Sequence, residues 1–141
     1  MNEGVLLDTH IVLWMDNGDE RLRPSTQDLI QAFARDAAIL ISSVSAWEIA
    51  QLADLNRIEL DVPPWDWIER FASVPGIRWV PLSPSAASRA YRLNGLAHRD
   101  PADRLLIATA IEMECPLVTY DRLILNFARD HGDAHGFQAL S

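Results

Sequence analysis

The chain of 141 residues contains a single cysteine, Cys115, so it cannot form an internal disulfide. A small secreted fold held together by disulfides is therefore excluded, and a reducing cytoplasmic location is expected. No apolar run approaches the ~20 residues that a membrane-spanning helix requires, so no membrane partner is predicted. The first residues carry an acid and no basic cluster, which is not typical of a secretory signal.

Positive charge is also scarce, because 12 basic residues stand against 20 acidic ones and give a net charge of −8. This balance excludes a general nucleic-acid binder that works through a wide basic surface. It does not exclude a nuclease, since bound metal ions supply positive charge locally.

The chain does contain the material of a folded core, with 49% hydrophobic residues and five tryptophans. It shows no internal repeat, no low-complexity tract and no linker, so one domain over residues 1–141 is predicted. By default the tryptophans Trp14, Trp47, Trp65, Trp67 and Trp79 are assigned to the core. An alternative for Trp65 and Trp67 is an interface with a partner.

Short apolar runs alternate with helical patterns along the chain. Strands are predicted over 4–7, 38–41, 77–80 and 117–119, with a final edge strand over 136–140. Helices are predicted over 9–15, 25–35, 43–55, 64–73, 84–93, 100–114 and 121–130. Ser25 is predicted to open a capping box, and Ser43 or Ser45 to cap the third helix. This alternation predicts an α/β fold with a mostly parallel sheet covered by helices on both faces.

Four acids lie beside these apolar segments and far apart in sequence: Asp8, Glu48, Asp103 and Asp121. Asp8 and Asp121 follow predicted strands, and ligand sites in open parallel sheets form beyond the carboxyl ends of strands. Burying several carboxylates together is costly unless a cation joins them. If the four converge, the expected occupant is a hard divalent metal ion such as Mg²⁺.

Helix capping is a simpler explanation for some of these acids. Asp8 and Asp121 are placed to cap the helices that follow them, and Asp100 is placed to cap the helix that Pro101 opens. Asp103 would then lie in the first turn, near the positive end of the helix dipole.

Helix faces argue against capping alone. Asp103 shares a face with Leu106, Ile107 and Ala110, and Glu48 shares one with Val44, Leu52 and Leu55. Charged side chains on apolar faces are rarely left unpaired. A buried ion pair with Arg104 or Arg122 is the alternative to a metal.

Four segments in this order resemble the successive motifs of PIN-domain proteins, and more narrowly of VapC-type toxins from bacterial toxin–antitoxin pairs. They are Val5-Leu6-Leu7-Asp8-Thr9-His10, Ser45-Ala46-Trp47-Glu48-Ile49-Ala50, Asp100-Pro101-Ala102-Asp103-Arg104-Leu105-Leu106-Ile107-Ala108 and Leu117-Val118-Thr119-Tyr120-Asp121. The resemblance covers nearly the whole chain. It implies a three-layer α/β/α fold and a Mg²⁺- or Mn²⁺-dependent ribonuclease. It also implies a toxin homodimer and a small VapB-type antitoxin whose tail covers an apolar groove, forming a toxin–antitoxin hetero-oligomer.

The family's four acids fall on Asp8, Glu48, Asp103 and Asp121. Asp8 and Asp103 are predicted to hold one metal most directly, and the other two to act through water or with a second metal. Thr119 matches a hydroxyl position that orients the acids, and Asp100 is predicted to be a helix cap first and an outer ligand second. Hydrolysis by an activated water predicts 5′-phosphate and 3′-hydroxyl products, whereas attack by the RNA 2′-hydroxyl would leave a cyclic phosphate.

Basic residues near the motifs offer a second set of candidates. Arg99, Arg104 and Arg122 are predicted to contact RNA phosphates, with surface ion pairs as the alternative. His10, His98, His131 and His135 are scattered. Only the last two have a close spacing, and the intervening Gly132 argues against a zinc-binding helix.

Three competing functions remain open from the sequence. A haloacid-dehalogenase-like phosphatase would need an acid two residues after Asp8, where this chain has His10. A binding module without turnover would keep the fold, and its toxicity would be unchanged when Asp103 is replaced by Asn. An RNA-processing nuclease without an antitoxin is the alternative within the enzyme class.

Overall fold

The parallel sheet is built as the alternating pattern predicts. The structure is a computed structural model that describes residues 4–36, 38–97 and 99–141. In these ranges the strands are β1 Gly4–Leu7, β2 Ala38–Ser42, β3 Ile77–Val80, β4 Leu117–Val118 and β5 Ala139–Leu140. Their order across the sheet is β3-β2-β1-β4-β5, and each neighbouring pair is parallel. The mostly parallel sheet and its predicted edge strand are confirmed.

Helices connect the strands throughout. They are α1 Thr9–Asn17, α2 Pro24–Asp36, α3 Ser43–Asp54, α4 Pro64–Ala72, α5 Pro84–Ala90, α6 Pro101–Met113 and α7 Arg122–His135. Two of them end at glycines with positive φ, Gly18 at 62° and Gly136 at 67°, where a side chain would be strained. None of the helices in the described ranges is both long enough and apolar enough to cross a membrane.

The strands are buried on both faces, and alternate residues enter different clusters. Val5 and Leu7 of β1 pack in a cluster that includes Ile11 of α1 and Trp67 of α4. Leu6, between them, packs in a second cluster that includes Leu40, Leu117, Ile107 of α6 and Ile124 of α7. Because side chains alternate across a strand, helices cover both faces of the sheet. The three-layer α/β/α fold is thereby confirmed.

The order of strands creates a crevice beside β1. The chain moves from β1 to β2 and β3 on one side, then returns to place β4 on the other side of β1. Open α/β sheets bind ligands at such a reversal, beyond the carboxyl ends of the strands. Leu7 pairs with Val118 across it, so the next residues, Asp8 and Thr119, are brought side by side.

Several predicted helix ends are wrong by a few residues. Helix α2 begins at Pro24, so Ser25 lies within its first turn and does not open a capping box. Proline is well suited to a first helical position because its missing amide hydrogen needs no partner there. Ser42, rather than Ser43 or Ser45, caps α3, and its hydroxyl accepts from the Val44 amide at 3.0 Å.

The lengths of two helices also differ from the prediction. Helix α5 stops at Ala90. Helix α7 continues through Gly132 to His135. Gly132 is buried, and a Cβ there would meet the Phe137 carbonyl, so close packing explains a glycine inside the helix.

Candidate metal centre

Three of the candidate acids cap helices on the same rim of the sheet. Asp8 Oδ1 accepts from the Thr9 amide at 2.7 Å at the start of α1. Asp100 Oδ1 accepts from the Ala102 amide at 3.0 Å at the start of α6. Asp121 Oδ1 accepts from the amides of Leu123 and Ile124 at 2.9 and 3.1 Å at the start of α7. The capping explanation is therefore confirmed for all three acids.

Capping does not keep these acids apart, because their helices begin at one cleft. The cleft has a volume of about 420 Å³. Its lining consists of Asp8, His10, Ile11, Trp14, Glu48, Asp100, Asp103, Tyr120 and Asp121. All four acids singled out in the sequence, and Asp100 with them, reach the same space. Helix starts also carry a partial positive charge, which favours ionised carboxylates there.

Three of the carboxylates form a compact group. One oxygen each from Glu48, Asp100 and Asp103 lies within 4.8 Å of the other two. Asp103 is only 9% exposed, because the face it shares with Leu106 and Ile107 looks into the core. Asp8 and Asp121 line the same cleft outside this compact group.

Thr119 joins the Asp8 carboxylate to the backbone of Asp121. Its hydroxyl donates to Asp8 Oδ2 at 2.7 Å and accepts from the Asp121 amide at 3.0 Å. Thr119 is fully buried at the end of β4. This bond fixes the Asp8 carboxylate, since the Thr9 amide already holds its other oxygen.

Thr9 makes the equivalent link to Glu48. The sequence singled out Glu48 but not Thr9. Its hydroxyl donates to Glu48 Oε1 at 2.5 Å and shares a second hydrogen bond of 2.8 Å with the Ser45 hydroxyl. Residues 9 and 48 lie on different helices, so only the tertiary fold brings them together. The available signal was a hydroxyl residue next to Asp8 and another three residues before Glu48.

The surroundings of two cleft acids, Asp8 and Glu48, disfavour their ionised forms. Burial raises the pKa of Asp8, against the opposing effect of its bonds from Thr119 and Thr9, and the Asp121 charge raises it further. Burial also raises the pKa of Glu48 to about 7. The hydrogen bond from Thr9 lowers this pKa, and repulsion from Asp8 and Asp100 raises it. Several hard carboxylate oxygens in one cleft are a donor set that fits a divalent cation such as Mg²⁺.

Comparison with known proteins agrees with this arrangement. The sequence profile of the PIN domain matches residues 5–130. This chain belongs to the PIN domain family. Ribonuclease VapC22 of Mycobacterium tuberculosis is 37% identical over 118 residues, which are 84% of this chain and 87% of that protein. The resemblance to VapC-type members is thereby confirmed.

Solved structures share the fold of this PIN domain. A structure of VapBC2 from Rickettsia felis bound to a DNA fragment from their promoter matches with a TM-score of 0.67 and 18% identity, over 96% of each chain. A toxin–antitoxin complex from Klebsiella pneumoniae matches with a TM-score of 0.64 and 19% identity, over 98% of this chain and 97% of that one. At these identities the likeness concerns the fold.

Ion pairs do not explain the burial of the two acids whose partners are fully described. Glu48 accepts from the Thr9 hydroxyl, and Asp8 accepts from the Thr119 hydroxyl and the Thr9 amide. Hydroxyl and amide donors orient a carboxylate without cancelling its charge. The proposed ion pair of Glu48 with Arg104 or Arg122 is therefore wrong.

The three candidate arginines are not part of the lining of the cleft of the PIN domain. Arg104 donates to the carbonyls of Ala90 and Leu96 at 3.1 and 3.3 Å. Arg99 lines a neighbouring groove, and Arg122 is exposed at the start of α7. Their contact with RNA stays a prediction.

Some tryptophans are not placed as predicted. Trp47 and Trp65 are 62% and 71% exposed, so their assignment to the core is wrong. Trp67 is 1% exposed and stacks on Phe71 with ring centroids 5.0 Å apart, so it is not available to a partner. Leu55 is also exposed, because it caps the end of α3 and does not continue its apolar face.

Of the histidines at positions that the structure describes, His10 lines the cleft and His131 and His135 do not. His131 and His135 both pack against the Phe127 ring, with centroids 5.9 and 5.2 Å away. His98 lies outside the described residues, as do Met1 to Glu3 of the N-terminal segment.

Proposed function

We propose that this PIN domain is a metal-dependent endoribonuclease that acts as the toxin of a toxin–antitoxin pair. The observation that carries the proposal is the compact group of Glu48, Asp100 and Asp103 oxygens, in one cleft with Asp8 and Asp121. Sequence similarity to a ribonuclease of the VapC type adds independent support. The cleft lies at the strand-order reversal, which is where α/β sheets of this kind bind ligands.

Asp8 and Asp103 would hold Mg²⁺ or Mn²⁺ most directly, and Glu48 and Asp121 would assist through water or a second ion. Asp100, fixed by its cap, would add an outer carboxylate. When bound, the cation would lower the pKa of water and neutralise charge that develops on the phosphate. Acid oxygens alone would repel a phosphodiester, so the cation is also what permits the substrate to approach.

The protein's own contribution is to hold the acids in place before the substrate arrives. Thr119 fixes the Asp8 carboxylate, and Thr9 fixes that of Glu48. Fixed ligands need little reorganisation during a reaction, which is the basis of preorganised catalysis. Hydrolysis at such a site yields a 5′-phosphate and a 3′-hydroxyl.

The proposed partner is a VapB-type antitoxin, and the proposed assembly is a hetero-oligomer built on a toxin homodimer. An apolar groove of about 390 Å³ supports a protein partner next to the acids. Trp47 lines it beside Glu48, and Pro101 and Ala102 line it between Asp100 and Asp103. An antitoxin segment in this groove would contact residues that are neighbours in sequence of three cleft acids. The cytoplasmic location stays a prediction from the sequence.

RNA cleavage in defined metal conditions tests the proposed activity. Purified protein is incubated with single-stranded RNAs in Mg²⁺, in Mn²⁺ or in EDTA, and the ends of the products are analysed. We expect cleavage with either ion, none in EDTA, and 5′-phosphate ends. Cleavage that persists in EDTA and leaves cyclic phosphates would contradict the proposal, because it would place the RNA 2′-hydroxyl in the role of the nucleophile.

A further inference from the structure

One side of the acid cleft is aromatic, and the proposed chemistry makes no use of it. His10, Trp14 and Tyr120 line that side, and we call these three residues the aromatic wall. The Trp14 ring centroid lies 5.6 Å from that of Tyr120 and 6.0 Å from that of His10. The ring planes are tilted by 49° and 55°, so the rings do not cover each other's faces.

Guanidinium groups stand next to two of these rings. Arg23 Cζ lies 4.4 Å from the Tyr120 ring centroid, and Arg21 Cζ lies 5.0 Å from that of Trp14. Asp19 holds Arg21 through two hydrogen bonds of 3.1 and 2.8 Å. All 12 basic residues of the chain are arginines. The planar guanidinium group of arginine stacks on aromatic rings and binds phosphates through two hydrogen bonds. The lysine ammonium group is a point charge without this planar geometry.

The aromatic wall is held in position by the fold. The Tyr120 hydroxyl accepts from the Arg23 amide at 3.0 Å and shares a hydrogen bond of 2.6 Å with the Thr26 hydroxyl. Trp14 and Tyr120 both pack against the core cluster that contains Val5 and Leu7. Rings fixed in this way lose little conformational freedom when a ligand binds. Their flat faces suit a flat ligand.

Electrostatics alone does not account for how an RNA chain would bind here. The cleft is lined by five acids, and the whole chain has a net charge of −8. Stacking of a nucleobase on an aromatic ring does not depend on a basic surface. In single-strand binding proteins one such contact changes affinity by about 5- to 150-fold.

We propose that the aromatic wall binds an unpaired nucleobase of single-stranded RNA next to the phosphate that is cleaved, with Arg23 close to the adjoining phosphate. This inference rests on the proposed ribonuclease function and assigns residues that would bind a base of its substrate. Proteins that read single-stranded RNA commonly stack splayed bases on aromatic side chains. A duplex keeps its bases inside its own stack and offers none to the wall.

Binding of oligonucleotides with and without bases tests this inference. The full-length protein keeps all its acids, and Ca²⁺ replaces Mg²⁺ so that a cation can occupy the cleft while cleavage is slow. Fluorescence anisotropy measures the affinity for polyuridine, polyadenosine and an abasic ribose-phosphate oligomer, each of about ten nucleotides. We expect the abasic oligomer to bind about tenfold more weakly than the other two. Equal affinities would overturn the inference without any change to the wall itself.

Variants of Trp14 then assign the effect to the wall. We expect Trp14→Leu to bind polyuridine about as weakly as the abasic oligomer, and Trp14→Phe to retain part of the affinity. Trp65→Leu is the matched control, because Trp65 is 71% exposed and is not part of the cleft lining. Affinity that is the same in Trp14→Leu and Trp65→Leu, or that falls equally for the abasic oligomer, would contradict a stacking role.

Base stacking on the aromatic wall and the ribonuclease function are tested by different measurements. If Trp14→Leu does not fold, as judged by circular dichroism, the comparison of base-bearing and abasic oligomers with Trp14 intact still decides the inference. The cleavage assay in Mg²⁺ and EDTA decides the ribonuclease function, and the binding contrasts do not depend on turnover.

Discussion

Replacing Asp103 with Asn is expected to slow RNA cleavage by about 10²- to 10⁴-fold and to leave the fold intact. Asn is close to Asp in shape, so the buried position at the start of α6 is kept. The substitution removes one charge from a group of oxygens within 4.8 Å of one another, where Glu48 and Asp100 supply the others. A weaker cation site would then lose several kcal/mol of stabilisation of the transition state.

The matched control is Asp66→Asn, which removes a carboxylate from the corresponding first turn of α4. Asp66 is exposed and does not line the cleft, so cleavage should be unchanged. The assay is initial rate on a defined RNA, with circular dichroism to confirm folding. Full cleavage activity in Asp103→Asn would contradict a role for Asp103 in catalysis. Toxicity in cells that survives the loss of cleavage would favour binding of RNA over hydrolysis.

Replacing Glu48 with Gln is expected to stabilise the metal-free protein above neutral pH. The pKa of Glu48 rises from 4.5 to about 7 on folding. Between these pH values the folded state binds more protons than the unfolded state, so the free energy of unfolding falls as the pH increases. Glu48 is half-buried, and after allowance for solvent screening we expect Glu48→Gln to gain about 1–2 kcal/mol at about pH 8.

Thermal unfolding at several pH values measures this effect. The gain corresponds to a Tm increase of roughly 3–8 °C at about pH 8 and should vanish below about pH 4.5. Glu69→Gln, an exposed position on α4, is the control and should show no such gain. Addition of Mg²⁺ should raise the Tm of the unmodified protein more than that of Glu48→Gln, since an ion that binds more tightly stabilises the folded state more at the same concentration. A variant that is less stable at every pH would contradict the account of repelling charges.

The sheet and the acids were predictable because their signals are local. Short apolar runs such as Val5-Leu6-Leu7 specify buried strands, and the connecting helical patterns require parallel crossovers. The rule that sites form beyond strand ends then places Asp8 and Asp121 on one rim. Glu48 and Asp103 were singled out because each lies on an apolar helix face, and the family resemblance then gave all four acids a common role.

Capping and site formation proved to be compatible explanations. Asp8, Asp100 and Asp121 each use one oxygen to accept from a helix amide and still line the common cleft. The sequence presents the two explanations as alternatives because both depend on the same residue types. Only the convergence of α1, α6 and α7 shows that one carboxylate serves both purposes.

Contacts between distant segments were not predictable. Thr119 and Asp8 are separated by 111 positions, and no local sequence pattern predicts the hydrogen bond between them. The aromatic wall was missed for the same reason, since Trp14 and Tyr120 meet only across the finished sheet. The exposure of Trp47 and Trp65 was also wrongly predicted, because composition favours burial of tryptophan but does not specify which face of a helix is covered.

The central claim is that carboxylates from separate parts of the chain hold a divalent cation in one cleft. A crystal structure of the protein grown with Mn²⁺, with anomalous diffraction data, tests it most directly. The account predicts an anomalous peak at ligand distance from the Asp8 and Asp103 carboxylates, and no such peak in crystals of Asp103→Asn. An empty cleft in the presence of Mn²⁺, with these carboxylates turned away from each other, would contradict it.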